Sequence, residues 1–404
     1  MSFNNSLEIN KFLDFIEKIN KNGFMPNSMK KNEKYMIHDS RDAAIMICSL
    51  VYLVNIDKLS FSKVIVTLLH YIDFVYKTTN DNIFPEKYFN ENGKSILNSS
   101  DKLENDYIAI QLIAICKTIE LFTNNNSTNL LNNIHIDILI RRFITFISVI
   151  YDKPCYDMWG IKFGIHYNNV KLYELALLTA KNYIDKYFFT DIDVDKIIEN
   201  IKEQLTKFTK CLLDKNYSNV IIPTLTEETY FNATYFVLNS SVFYPFLPIF
   251  GFSNEVSKSP ELINTALIIL INNCKLNNND LNKDNIEFNF SYITKYNEFD
   301  LPDFFCTYST LATYNTLICM DNLIKYYSML SEWEISTINT MKKKLSDNLN
   351  SLHRKLKSNM SNDISSDTLR PFGETNSNMI RLLFVSVIEN IKKLDDYKSY
   401  GSRD

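Results

Sequence analysis

Stretches that are apolar on every face alternate along this chain with stretches that are apolar on one face only. Residues 7–21 place Leu7, Phe12, Phe15, Ile16 and Ile19 at the spacing of one helical face, with Glu and Lys opposite. The next stretch, from Ser40 to Val54, is apolar nearly all round and reads as a buried helix, capped by Ser40 and carrying Asp42 in its first turn. The alternation then repeats. Residues 60–77 are amphipathic, 103–122 apolar, 133–150 amphipathic with Arg141 and Arg142 outward, 168–187 apolar, and 194–213 amphipathic. Further helices are expected at 227–240, at 260–273 with Pro260 at its first position, at 304–327, at the strongly polar 334–357, and at 374–394. Residues 288–296 read as extended.

A helix wet on one side and a helix dry on all sides need each other. The arrangement that satisfies both is two concentric layers, with apolar helices inside and amphipathic ones outside. About a dozen helices pair into six hairpins, which predicts an all-α fold, an (α/α)6 toroid, as a single domain over residues 1–404. An α-solenoid of helix pairs is the alternative, but the chain shows no fixed repeat period.

Composition supports helices. Gly and Pro number only 7 and 9 in 404 residues, too few for an all-β chain of tight turns. Net charge is -4, and clusters such as Lys342–Lys344 are short, so nucleic-acid binding has little support. Asn124–Asn126 and Asn277–Asn279 read as loop filling. The 7 cysteines are irregularly spaced and mostly inside apolar runs, which suggests reduced core thiols in a cytoplasmic setting. The longest apolar run, Ala43–Val54, is too short for a bilayer, so no membrane contact is expected. No His or Cys spacing suggests a metal site, and no glycine-rich phosphate loop suggests a cofactor.

The chemistry-bearing residues gather just before the apolar helices. Arg41-Asp42, Glu104-Asn105-Asp106, Trp159 to His166, Glu227-Glu228, Asp303 and Glu374 all stand at or before such a helix start. In a toroid these ends open on one face, so residues from separate parts of the chain would converge on one funnel. The stretch Tyr156-Asp157-Met158-Trp159-Gly160-Ile161-Lys162 is the richest of them, since it holds one of 2 tryptophans.

In order and content these pieces resemble glucoamylase-type glycoside hydrolases of family 15, and the related toroid domain of phosphorylase kinase regulatory subunits. The resemblance rests on Ser40-Arg41-Asp42-Ala43-Ala44, Leu103-Glu104-Asn105-Asp106-Tyr107, Asp157-Met158-Trp159 with His166-Tyr167-Asn168-Asn169-Val170-Lys171, Phe231-Asn232-Ala233-Thr234, Pro248-Ile249-Phe250-Gly251-Phe252 and Phe304-Phe305-Cys306-Thr307-Tyr308. It implies an (α/α)6 barrel that binds the non-reducing end of an α-glucan and hydrolyses it with inversion. By the same resemblance Arg41 and Asp42 grip the terminal sugar, Asp106 is the acidic residue of the second inner helix, Trp159 is the aromatic wall, and Lys162 stands where a sugar-contacting Arg is common. His166, in the same loop, joins them as a candidate substrate contact.

The departures concern catalysis. Inversion needs an acid and a base roughly 6.5–9.5 Å apart. The family places the acid directly after the tryptophan, where this chain has Gly160, which has no proton to give. Glu227, Glu228 and Glu374 are the candidate substitute carboxylates. The expected function is therefore a glucoamylase-like protein that binds an α-glucan or oligosaccharide with weakened or lost hydrolysis. The alternatives are an active inverting α-glucosidase that uses a substitute acid, and a non-enzymatic scaffold with a protein partner.

Overall fold

In the computed structural model, the described residues are 23–25, 38–79, 85–90, 92–96, 103–132, 134–157, 162–187, 192–211, 219–226, 240–266 and 336. The helices expected at 7–21, 227–240, 304–327, 334–357 and 374–394, and the extended segment at 288–296, lie outside them, save for Ser240, which opens a 3-10 turn, and Ser336, which is helical. Residues up to Gln204 belong to one compact unit, and Leu205 to Gly373 to a second.

The first unit contains the helices α1 (Ser40–Asn55), α2 (Phe61–Thr78), α3 (Asp106–Asn124), α4 (Ile136–Ile150), α5 (Tyr167–Tyr187) and most of α6 (Val194–Thr206). Helix α3 packs along both α1 and α5. It is rich in isoleucine, which costs a helix up to about 0.7 kcal/mol per residue in propensity. Ile108, Ile110, Ile113, Ile115 and Ile119 are all buried, and each such burial returns about 1.5–3 kcal/mol. Packing therefore outweighs propensity, as the apolar pattern requires. The alternate helices bury one stripe only. In α2 it is Val64, Leu68, Tyr71, Ile72 and Val75, and in α4 it is Leu139, Ile140, Phe143, Ile144 and Ile147.

The helix ends correct several expectations. The cap of α1 is Asp39, not Ser40: its carboxylate accepts from the backbone N–H of Arg41 at 2.8 Å and of Asp42 at 3.3 Å. A carboxylate outcompetes a hydroxyl at the positive end of a helix, and the Ser40 hydroxyl donates instead to the Glu86 carbonyl at 3.0 Å. Asn126 is not loop filling. It takes a left-handed φ of 53° after α3. Asn126 N–H then bonds Thr123 O at 3.1 Å and Ser127 N–H bonds Phe122 O at 2.9 Å, closing the helix. Asp57 does the same after α1 at φ 59°. Arg141 is exposed, but Arg142 turns inward, donating to the Thr79 carbonyl at 3.0 Å beside the Tyr76 ring.

Short strands connect these helices. His38–Asp39 (β1) pairs antiparallel with Tyr88–Phe89 (β2), matching Asp39 to Tyr88. Cys155–Tyr156 (β3) pairs with Phe163–His166 (β4), matching Tyr156 to Phe163. The β1 end holds a buried aromatic cluster of Phe24, Phe74 and Phe89 around His38. Beside it Gly23 has φ +81°, and a Cβ there would come within 2.0 Å of the His70 carbonyl oxygen.

In the second unit, helix α6 does not continue to 213. It ends at Thr206, and Thr209–Cys211 (β5) forms a hairpin with Asn219–Ile221 (β6). Phe208, just before β5, is fully buried, and its carbonyl receives the Ile222 N–H at 3.0 Å. Cys211 is thus a strand residue. Short 3-10 turns follow at Ser240–Phe246, Pro248–Phe250 and Ser253–Lys258, and residues 260–266 are helical from Pro260 onward.

Candidate functional site

Two helix N-termini and one strand bring together six charged side chains. The β1–α1 junction supplies Asp39, Arg41 and Asp42. The loop into α3 supplies Glu104, and Asp106 opens that helix. Lys87 precedes β2, whose pairing with β1 holds it beside Asp39.

Arg41 is the centre. Its Nη2 donates to Asp106 Oδ1 at 2.7 Å and also to Glu104 Oε2. Lys87 Nζ meets the same Glu104 oxygen at 2.8 Å and stands 3.9 Å from Asp39 Oδ2, with the Tyr88 ring under its ammonium. The group is largely dry: Arg41 is 9 % exposed, Asp42 6 % and Asp106 1 %.

Burial and charge divide the carboxylates. Burial pushes the Glu104 carboxyl up, but Arg41 and Lys87 together outweigh it and hold the group below its ordinary value. Asp106 goes the other way: burial raises it more than Arg41 lowers it, and its Oδ2 is buried without a hydrogen-bond partner. Asp42 is raised well above the usual carboxylate range, by burial first and then by the charge of Asp39. Its backbone N–H is used by the Asp39 cap, yet no described residue donates to its carboxylate. Two acids in a dry site thus keep acceptor oxygens unused.

Beside this cluster the β3–β4 hairpin docks through its backbone. Tyr156 N–H donates to Leu103 O at 2.8 Å, and Asp157 N–H to Lys162 O at 2.9 Å. The Cys155 thiol faces the Asn105 backbone and receives Asn169 Nδ2 at 3.2 Å; burial pushes it up to about 12. His166 is 2 % exposed, with Nε2 at 3.0 Å from the Cys155 carbonyl. Burial lowers its ring first, against the raising effect of that carbonyl and of Asp157. Lys162 and Asp157 both act on this ring.

Of the residues expected at the site, Arg41, Asp42 and Asp106 share one cluster. Lys162 and His166 form a second group on the hairpin that abuts it. Trp159, Gly160, Glu227, Glu228 and Glu374 lie outside the described residues. Lys87 and Asp39 were not anticipated. Lys87 sits in a loop with no periodicity, 17 residues from its partner Glu104, and the only sequence hint was a lone basic residue just after Phe84-Pro85-Glu86. Among the described residues no group of His, Cys, Asp and Glu could hold a metal ion, and no helix is long and apolar enough to cross a membrane. Cys48, Cys116 and Cys155 are free and buried.

A clasped Arg beside under-used carboxylates suits hydroxyl groups, which donate to carboxylates in fixed directions. A family model described as glycosyl hydrolases family 15 matches residues 13–270, more than half of the chain. The chain belongs to this family. Solved family-15 structures show the same all-α (α/α)6 fold at low identity. The glucoamylase of Hormoconis resinae superposes with a TM-score of 0.61 at 12% identity, over 95% of this chain and 73% of that one. That of Hypocrea jecorina gives 0.61 at 10%, over 95% and 73%. That of Saccharomycopsis fibuligera gives 0.56 at 14%, over 95% and 87%. No curated protein matches the chain. At these identities family 15 gives the fold, and the chemistry must be argued from the residues.

Proposed function

We propose that this family-15 chain is a carbohydrate-binding protein that holds the end of an α-glucan or oligosaccharide and has weakened or lost hydrolysis. The observation that carries the reading is the Arg41–Asp106 clasp at 2.7 Å beside an Asp42 carboxylate to which no described residue donates. A sugar hydroxyl is the neutral donor that such a carboxylate lacks. In this reading Arg41, Asp42 and Asp106 grip the sugar. Trp159 walls it, and Lys162 and His166 complete the contact from the hairpin. The glycosidase among the similar structures that is in complex with glucose supports a sugar as occupant (TM-score 0.54, 8% identity). A single domain over residues 1–404 is part of the proposal, supported by a family match that runs across the boundary between the two compact units.

Hydrolysis is weakened because Gly160 stands where the family has its proton donor. General acid assistance supplies about 10²–10⁴-fold in rate, and without it the leaving oxygen departs as an alkoxide. The test is glucose release from maltose and maltotetraose by the wild type and by Gly160→Glu. Little or no release from the wild type, with a gain in the variant, is expected. Robust wild-type turnover that is lost in Glu227→Gln, Glu228→Gln or Glu374→Gln would establish an active inverting enzyme with a substitute acid. Neither turnover nor sugar binding would favour a protein-interaction scaffold on the same fold.

A further inference from the structure

The cluster around Arg41 is unbalanced in charge. Among the described residues it holds four carboxyl groups, Asp39, Asp42, Glu104 and Asp106, against two cations, Arg41 and Lys87. Both cations are engaged from within the cluster. Arg41 lies between Glu104 and Asp106, and Lys87 between Glu104 and Asp39. Acceptor capacity is left unused on two of the carboxyl groups: Asp106 Oδ2, buried without a partner, and the Asp42 carboxylate, on a residue 6 % exposed. Adding the hairpin does not change the balance, since Lys162 is accompanied there by Asp157.

A dry site with more carboxyl groups than cations, two of them raised by burial, is short of positive charge and discriminates among sugars of similar shape. A neutral sugar brings hydroxyl donors. A sugar with a protonated amine brings a donor and the missing positive charge together. A sugar carboxylate brings a further anion, with each cation already clasped, into a place where like charges repel strongly. We infer that this site selects its ligand by charge, binding protonated amino sugars more tightly than neutral ones and excluding acidic sugars, with Asp42 as the residue that sets the preference. The inference rests on the sugar-binding reading above and names the ligand class for that same site.

Ligand-observed NMR titration of the full-length chain near neutral pH and at low ionic strength tests it, with glucosamine, glucose and glucuronate as probes. Glucosamine is expected to bind about tenfold more tightly than glucose, as when a neutral hydrogen bond becomes charge-assisted, and glucuronate not to bind. In Asp42→Asn the advantage of glucosamine over glucose disappears, and in Asp42→Glu, which keeps the charge, it is retained. Glucose and glucuronate binding equally would overturn the inference while leaving the sugar-binding reading in place. So would an unchanged glucosamine preference in a folded Asp42→Asn variant. Binding of none of the three by the wild type would overturn both.

Discussion

The start of α1 and the β3–β4 hairpin both bury polar side chains at the mouth of an apolar helix, and they treat them oppositely. At the hairpin and the start of α5 that follows it the polar groups satisfy one another. His166 Nε2 meets the Cys155 carbonyl, Asn169 Nδ2 meets the Cys155 thiol, and Asn168 Nδ2 donates to Asn169 Oδ1 at 2.9 Å. In the Arg41 cluster Asp106 leaves one oxygen without a partner and Asp42 receives nothing from the described residues. A satisfied buried network specifies a structure, while a buried acceptor without a donor costs free energy that folding alone does not recover. In the proposed reading the unused acceptors of the Arg41 cluster are where a ligand's donors would go, and each region has its own mutational signature.

The largest effect is expected from removing the cation on which the cluster is built. Arg41→Met leaves Glu104 and Asp106 buried beside one another with Lys87 as the remaining cation. A loss of about 3–5 kcal/mol is expected by urea denaturation, since breaking a buried ion pair from one side strands the other charge. A loss below about 1 kcal/mol would show that the cluster is solvated like a surface pair.

Next comes the start of α5, where it bonds the hairpin. Asn169→Ala removes the donor to Cys155 and the acceptor of Asn168 together, with an expected cost of about 1–3 kcal/mol. The same variant should keep the order of sugar affinities. A changed order would merge the two regions and undo the comparison.

His38 borders the cluster on its apolar side. Its Nδ1 accepts the Met25 N–H at 3.0 Å, and burial lowers the ring to about 3. The folded protein therefore keeps His38 neutral where the unfolded chain, near its ordinary value of 6.5, takes up a proton. The stability tied to this neutral ring is fully present above pH of about 6.5 and is lost as pH falls toward about 3, at about 1.4 kcal/mol per pH unit. His38→Gln keeps an acceptor and removes the titration, so its stability should fall less steeply over that window. Asp42 and Asp106, raised by burial, act in the opposite sense at the acid end. The difference between variant and wild type is thus the readout.

The smallest shift should have the opposite sign. Because Asp42 is raised, its ionised form is disfavoured in the folded state, so Asp42→Asn should stabilise the protein at neutral pH. The gain should fade on acidification through the folded-state value of Asp42, as the wild-type carboxyl itself becomes neutral. Stabilisation together with weaker sugar binding would mark a residue kept for its ligand; destabilisation would mark a structural one.

Much of this was legible in the sequence, and the exceptions have physical reasons. The buried helices α1 and α3 announced themselves by apolar residues on every face, and Arg41, Asp42 and Asp106 by standing at their starts. The cap of α1 was not legible, because Asp39 and Ser40 are both good caps in tandem and the choice depends on Glu86, brought near by β1–β2 pairing. Lys87 was hidden for the same reason: its partners come from strand pairing and from the start of a different helix. Asn126 was lost in a run of like residues, where only the backbone shows which one turns left-handed. The end of α6 was overrun because the helical period continues through residues that instead enter the β5–β6 hairpin.

The measurement that bears most directly on the account is a proton NMR time course of maltotetraose with the full-length wild-type chain, read for saturation transfer and for released glucose in the same tube. The account predicts transfer to the non-reducing end of the sugar and little or no glucose. Steady accumulation of glucose, or no transfer at all, would contradict it.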